Sequence, residues 1–305
     1  LIHKLLAENY SVRVIDSLKW GGESLLSVLN HPRFEFLKGD IRNRSDVERA
    51  VRGVEAVIHM AAIVGDPACK KEPELARETN VDASIDLYHQ AKKNGVLRFI
   101  FSSTCSNYGK MKDPSETCRE ETPLQPVSLY AELKVRFEQF LLKSTDDITA
   151  TVLRFSTAYG LSPRMRFDLT VSEFTRDALT KKELIIYGEQ FWRPYCHTQD
   201  LAEACLLMLN ADRRQIDREA FNVGDNRENY QKKMLAEEIQ KQVPDFSVQY
   251  VQKIEDPRDY RVNFDKIAGL GYKITQRVPN GIAEVVHAIK NGIIQDPFAS
   301  KYSNI

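Results

Sequence analysis

The chain has 305 residues, 42% of them hydrophobic and 28% charged, which is ordinary for a globular enzyme. Basic and acidic residues balance at 43 each, so no excess of positive charge points to a nucleic-acid partner. No apolar run approaches the roughly 20 residues of a membrane span, so no membrane partner is expected.

Elements follow in chain order. Leu1–Ala7 carries apolar residues at 1, 2, 5 and 6, a helical face. Its first turn is uncapped, and the start in mid-element reads as a chain that has lost its true N-terminus. Candidate strands are Val12–Ile15, Phe34–Leu37, Ala56–His59, Phe99–Ser102 and Ala150–Leu153. Helical patterns fall near Ser45–Val51, Asn80–Lys93 and Ser128–Leu142. This βαβ rhythm predicts an α/β fold: a Rossmann-like, doubly wound parallel sheet with helices on both faces.

After about residue 160 the rhythm loosens. Leu161–Phe167 and Gly188–His197 read as irregular, Asp212–Glu219 as a charged connection, and Val278–Asn291 as a helix. The expected division is a dinucleotide-binding domain over 1–160 and, over 161–305, mainly a smaller mixed α/β substrate lobe. Some later elements are expected to return to the first domain. The five cysteines (69, 105, 118, 196 and 205) are odd in number, scattered and without a C-x-x-C pair. They fit a reducing cytoplasm, with neither a disulfide framework nor a metal site expected.

The first chemical signal is an acid at the end of a strand, Val12-Arg13-Val14-Ile15-Asp16. In a dinucleotide fold such a carboxylate binds the adenosine ribose hydroxyls and repels a 2′-phosphate, which favours NAD. The glycine-rich turn and first strand that should precede it are missing from the sequence. Gly39-Asp40-Ile41 follows the next strand, where Asp40 could meet an adenine amino group. His59-Met60-Ala61-Ala62 ends another strand with small residues that allow a cofactor close to the backbone. His59 by itself reads as a packed core histidine.

Tyr-x-x-x-Lys is a weak pattern, and the residue content alone supplies about 0.8 matches by chance. Three occur: Tyr88/Lys92, Tyr108/Lys112 and Tyr130/Lys134. Tyr88 lies inside a helical pattern, away from any strand end. Tyr108 sits in a loop, where Gly109 and Pro114 argue against a helix. Tyr130 lies near the start of an amphipathic helix, which puts Lys134 on its own face. A phenol has a pKa of about 10, and a nearby ammonium favours its ionised form. Lowering that pKa by about three units takes about 4 kcal/mol, which Lys134 and a nicotinamide cation together could supply. Tyr130 could then exchange a proton with a substrate hydroxyl while hydride moves. Thr104, just past a strand, is placed to bond the reacting oxygen, with Ser103 and Ser106 as alternatives.

The order of Asp16, Gly39-Asp40-Ile41, Ala61-Ala62, Ser102-Ser103-Thr104 and Tyr130-x-x-x-Lys134 resembles the extended short-chain dehydrogenases/reductases. Within them it is similar to the NAD-dependent epimerase/dehydratase family of nucleotide-sugar enzymes. Leu153–Gly160, Arg193–Asp200 and Phe221–Gly224 extend the likeness over nearly the whole chain. The resemblance implies NAD bound by Asp16, Asp40, Ile41, Ala61, Ala62, Ser102, Tyr130 and Lys134. It implies catalysis by Thr104, Tyr130 and Lys134. A nucleotide-diphosphate sugar would be held by Ser106, Thr157, Arg193, Arg258 and Arg261. Where the family's 4,6-dehydratases carry an Asp-Glu pair after the threonine, this chain has Cys105 and Ser106, which disfavours dehydration. Asp256 replaces an arginine of a family R-P-G-D segment, with Arg258 or Arg261 as possible compensation.

The leading expectation is a nucleotide-sugar epimerase working through a keto intermediate, with a ketoreductase or dehydrogenase as the alternative. A non-catalytic NAD-binding regulator fits the missing glycine turn, but not the intact Thr104/Tyr130/Lys134 set. A dehydrogenase of flavonoids or steroids would not need the arginines. The resemblance also implies a homodimer built on the helices near Asn80–Lys93 and Ser128–Leu142, with Leu87, Phe137 and Leu141 supplying apolar surface.

Overall fold

A computed structural model describes residues 1–111, 113, 116–253 and 258–304. The first half runs α1 (Ile2–Ala7), β1 (Val12–Asp16), β2 (Phe34–Lys38), α2 (Arg44–Val51), β3 (Ala56–His59), α3 (Asp66–Lys71) and α4 (Pro73–Arg77). It continues with α5 (Ala83–Lys93), β4 (Arg98–Thr104), α6 (Leu129–Lys143) and β5 (Thr149–Phe155). Next come β6 (Thr157–Tyr159), α7 (Thr170–Thr180), β7 (Glu183–Tyr187), β8 (Trp192–His197), α8 (Thr198–Asn210) and α9 (Arg213–Ile216). The last elements are β9 (Glu219–Val223), β10 (Asn229–Gln231), α10 (Lys232–Gln240), β11 (Ser247–Val251), α11 (Asp265–Gly269) and α12 (Val278–Lys290).

The residues divide into two compact units, and the division is not a single cut near 160. Unit 1 comprises Leu1–Thr104, Ser128–Arg154 and Ala202–Phe221; unit 2 comprises Cys105–Val127, Phe155–Leu201 and Asn222–Ile305. The chain leaves the first unit directly after β4 and re-enters it at α6. Ala202–Phe221 is a later segment that returns, whereas the excursion over 105–127 is not visible in a linear pattern.

Unit 1 is the α/β, Rossmann-like part. β1 pairs with β2 in parallel, Val12 opposite Phe34, and β3 pairs with β4 in parallel, Ala56 opposite Arg98. The sheets are ordered β1-β2 and β3-β4-β5-β9, so β1 and β3 are edge strands among the described residues. Local chemistry starts the helices. Asn43 caps α2 by accepting from Ser45 N, and Ser128 caps α6 by accepting from Ala131 N. Leu133, Phe137 and Leu141 recur at helical spacing on α6, and all three are buried.

Phe137 and Leu141 join Leu87, Tyr88, Phe99, Phe101, Ala150 and Val152 in the core of the unit. Each full burial of such a side chain contributes about 1.5–3 kcal/mol. This corrects the expected dimer surface: Leu87 is 5% exposed, and Phe137 and Leu141 are 0% exposed, so none offers an outer face. The helix expected at Asn80–Lys93 begins instead with a π-turn over Glu78–Asp82 and becomes α-helical at Ala83.

Unit 2 is mixed α/β. β8 pairs in parallel with β6 and antiparallel with β10, while β7 and β11 form a parallel pair. β8 overturns the irregular reading of Gly188–His197. Pro194 obscured it, since a proline normally argues against a strand flanked on both sides. It lies opposite Asn229 on the short strand β10. The charged connection Asp212–Glu219, which belongs to unit 1, contains the single turn α9, capped by Asp212. A core of Tyr159, Val171, Ile186, Tyr195, Leu235, Val278 and Ile282 holds this unit.

Candidate functional site

The strand ends of unit 1 carry the residues singled out for a cofactor. Asp16 closes β1 and is exposed, its Oδ1 accepting from Leu18 N at 2.7 Å. Asp40 is committed differently. Arg42 Nη2 donates to it at 2.7 Å and Arg42 N at 2.9 Å, and this partner holds the carboxyl below its usual range. The Ile41 side chain is buried in the core. Ala61 is exposed and Ala62 half-buried, just beyond β3.

Sequence reading missed Asn80, which fixes the loop after Ala62. Its Oδ1 accepts from Ile63 N at 2.8 Å, and its Nδ2 donates to Ile63 O at 2.9 Å. Both bonds come from a side chain only 2% exposed. The sequence marks it with no distinct signal, because Asn80 stands among polar neighbours such as Glu78, Thr79 and Asp82.

Helix α6 brings Tyr130 and Lys134 beside the end of β4. Lys134 is buried and donates from Nζ to the carbonyl oxygen of Ser102 at 2.8 Å. Its ammonium lies 4.7 Å from the Phe101 ring centre and 5.9 Å from that of Tyr130. Burial pushes the Lys134 pKa down to about 7. The half-buried Tyr130 packs against a cluster of Cys69, Ala76, Val81 and Leu133. Thr104 ends β4 and is 9% exposed. The alternative Ser103 hydroxyl is spent on Glu138, donating to Oε2 at 2.9 Å.

His59 is a core histidine. It bonds Ser84 Oγ at 2.8 Å and packs against Phe99, Phe101 and Phe137. Burial, and secondarily Lys134, push its pKa down to about 3, so it stays neutral at physiological pH.

The competing Tyr-x-x-x-Lys matches have other work. Tyr88 is buried and donates to Asp146, which also pairs with Lys92 at 3.2 Å. That arrangement anchors the turn between α6 and β5. Tyr108 donates to Asn222 Oδ1 at 2.7 Å within unit 2. Lys112 lies outside the described residues.

Unit 2 groups several of the substrate candidates. The Arg193 guanidinium lies 5.4 Å from the ring centre of buried Tyr260, whose hydroxyl donates to Ser106 Oγ at 3.4 Å. Thr157 on β6 is paired with Tyr195, two residues along β8 from Arg193. Arg261 stacks on Trp192 at 5.1 Å and donates to Glu116 O at 3.3 Å. Arg258 is exposed, and Asp256 and Pro257 lie outside the described residues. The end of the Arg193–Asp200 segment is structural. His197 Nε2 meets Glu284 at 3.0 Å, and Asp200 accepts from Thr275 N, Thr275 Oγ1 and Gln276 N. Both bind the C-terminal segment to β8 and α8. Among the described residues there is no cluster of His, Cys, Asp or Glu able to hold a metal ion, and no helix long and apolar enough to cross a membrane.

Parallel strands ending in Asp16 and Thr104, with a tyrosine–lysine helix packed beside the second, are the pattern of an extended short-chain dehydrogenase/reductase. The profile of the NAD dependent epimerase/dehydratase family matches residues 1–224, and the chain belongs to that family. It is 29% identical over 242 residues to a UDP-glucose 4-epimerase of Streptococcus mutans, covering 70% of this chain and 69% of that protein. A dTDP-glucose 4,6-dehydratase from Streptomyces venezuelae, solved with NAD bound, superimposes with a TM-score of 0.82 at 27% identity, covering 95% of this chain and 93% of that one. A UDP-glucose 4-epimerase from Thermotoga maritima, solved with UDP-glucose, gives a TM-score of 0.82 at 25% identity, covering 96% and 94% of the two chains.

Proposed function

We propose that this protein is an NAD-dependent nucleotide-sugar epimerase that works through a keto-sugar intermediate, with Tyr130 as its acid/base. The observation that carries the reading is the buried Lys134 ammonium, held on Ser102 O one helical turn from Tyr130. An ammonium so costly to bury is explained if an anion forms beside it.

The chain's donors and acceptors fit the two riboses of NAD. Asp16 offers an exposed carboxylate to the adenosine ribose. Lys134 has three N–H donors, of which Ser102 takes one. Ala61 and Ala62 let the cofactor come close to the backbone after β3. Bound there, NAD would supply reversible hydride exchange at the sugar carbon.

Tyr130 as phenolate takes the proton of the sugar hydroxyl, and as phenol gives it back. Lys134 stabilises the phenolate, and Thr104 donates a hydrogen bond to the reacting oxygen. Arg193 binds the diphosphate, supported by Arg258 or Arg261, with Ser106 and Thr157 as further polar contacts. Cys105 and Ser106 are poor acids at neutral pH, so these residues support redox epimerisation rather than loss of water. Five buried cysteines without a disulfide fit a reducing cytoplasm. A homodimer on α5 and α6 would have to use residues such as Ile85, Phe140 and Leu142, which are only partly buried.

The test is incubation with UDP- and dTDP-hexoses and NAD, following epimers by NMR and the nicotinamide by absorbance. Interconverted epimers without net reduced nicotinamide are expected, and Tyr130→Phe should abolish them. Net accumulation of reduced nicotinamide would assign a dehydrogenase instead. Turnover that survives Tyr130→Phe would overturn the acid/base assignment.

A further inference from the structure

Glu138 stands one turn beyond Lys134 and two beyond Tyr130 on the same face of α6. Its side chain is 1% exposed, and that of its partner Arg154, on β5, is 4% exposed. Arg154 donates to Glu138 Oε1 from Nε at 3.0 Å and also from Nη2. The other carboxylate oxygen, Oε2, accepts from Ser103 Oγ at 2.9 Å. Ser103 precedes Thr104 and follows Ser102, whose carbonyl receives Lys134. Two successive turns of α6 are thus tied to two successive residues of β4, and Arg154 ties the second of those turns to β5.

Stability alone does not call for this arrangement. Two charges taken out of water lose hydration that their attraction repays only in part, and apolar side chains of similar volume often pack there equally well or better. What an apolar contact lacks is direction. Leu and Met tolerate small rotations of a helix against a sheet, whereas three hydrogen bonds onto one carboxylate hold a single geometry. The chemistry assigned to Tyr130 needs such an orientation, because a displacement of about 1 Å can cost about a hundredfold in rate.

We infer that Glu138 and Arg154 are positioning residues that set the rotation and register of α6, so that Tyr130 and Lys134 meet the substrate oxygen together with Thr104. The inference rests on the reading of Tyr130 as acid/base, and the experiment separates the two. The double variant Glu138→Leu/Arg154→Met removes both charges and leaves no buried ion unpaired. Thermal unfolding, NAD titration, kcat and KM are compared for the wild type, this variant, Ser103→Ala and Tyr130→Phe.

The double variant is expected to fold and bind NAD with wild-type affinity, keep KM within about twofold, and lose about ten- to a hundredfold in kcat. Ser103→Ala should lower kcat by several-fold at unchanged KM. A folded double variant with wild-type kcat overturns the positioning role while Tyr130→Phe remains inactive. If the double variant does not fold, Ser103→Ala decides, and its unchanged kcat overturns the role. An active Tyr130→Phe removes the acid/base reading and this inference with it.

Discussion

Lys134 Nζ donates at 2.8 Å to the carbonyl oxygen of Ser102, two residues before Thr104 on the same strand. The bond places an ammonium where water cannot solvate it, and its pKa falls from 10.5 to about 7. Between these two pH values the unfolded chain binds a proton that the folded chain does not, so stability rises with pH across this window. Below pH 7 the whole penalty is present, at most about 5 kcal/mol. Lys134→Met should therefore unfold at a higher temperature than the wild type at pH 6, with the gain shrinking as pH approaches 10.5, while turnover is lost. A melting series over pH checks this, and a lower Tm for the variant at pH 6 would refute it.

Asp16 is exposed at the end of β1, and its charge would meet a 2′-phosphate on the adenosine ribose. Asp16→Ser is expected to shift the ratio of NADP to NAD affinity by about tenfold or more toward NADP, which corresponds to about 1.4 kcal/mol. Parallel titrations with both nucleotides measure the ratio. An unchanged ratio would mean that Asp16 does not contact the ribose.

Asn80 makes two hydrogen bonds to the backbone of Ile63. Asn80→Ala leaves the half-buried Ile63 N–H without its acceptor and its carbonyl with the weaker Cys69 thiol as donor at 3.4 Å, a loss of about 1–3 kcal/mol. The Ile63 amide should then exchange with solvent faster than in the wild type. Unaltered protection at Ile63 would count against this anchoring role.

Gly160 has a φ of +100°, and a Cβ built there would fall 2.0 Å from His197 Nε2. Gly160→Ala meets both a disfavoured backbone conformation and the ring that binds Glu284, so a loss of about 2–4 kcal/mol is expected by urea unfolding. Gly160→Ala/His197→Ala should lose less than the sum of the single variants, because the clash is shared. Strict additivity would place the cost in the backbone alone.

Much of unit 1 was legible in the sequence. Val12–Asp16, Phe34–Lys38, Ala56–His59 and Arg98–Thr104 extend the predicted strands by no more than two residues at either end. Their β-branched and aromatic runs are interrupted by turn residues and alternate with helical periods, all of which are local signals. Among three Tyr-x-x-x-Lys matches, the helix start after the Thr104 strand and the acid at Asp16 singled out Tyr130/Lys134, and the bonds of Tyr88 and Tyr108 show how the other two tyrosines are used structurally. Strand β8 escaped notice because Pro194 masks it, and the excursion over 105–127 because membership of a compact unit is not a local property.

The sequence by itself determined the α/β rhythm, the strand-end acid Asp16, and the face of α6 that carries residues 130, 134 and 138. Those follow from periods of two and 3.6 residues, which need no knowledge of distant contacts. Only the tertiary structure decided that Ser103 belongs to Glu138, and that Leu87, Phe137 and Leu141 face inward. It also decided that Lys134 is buried. Burial and pairing depend on which segments meet in space, and a one-dimensional pattern cannot rank one partner for a carboxylate or hydroxyl over another.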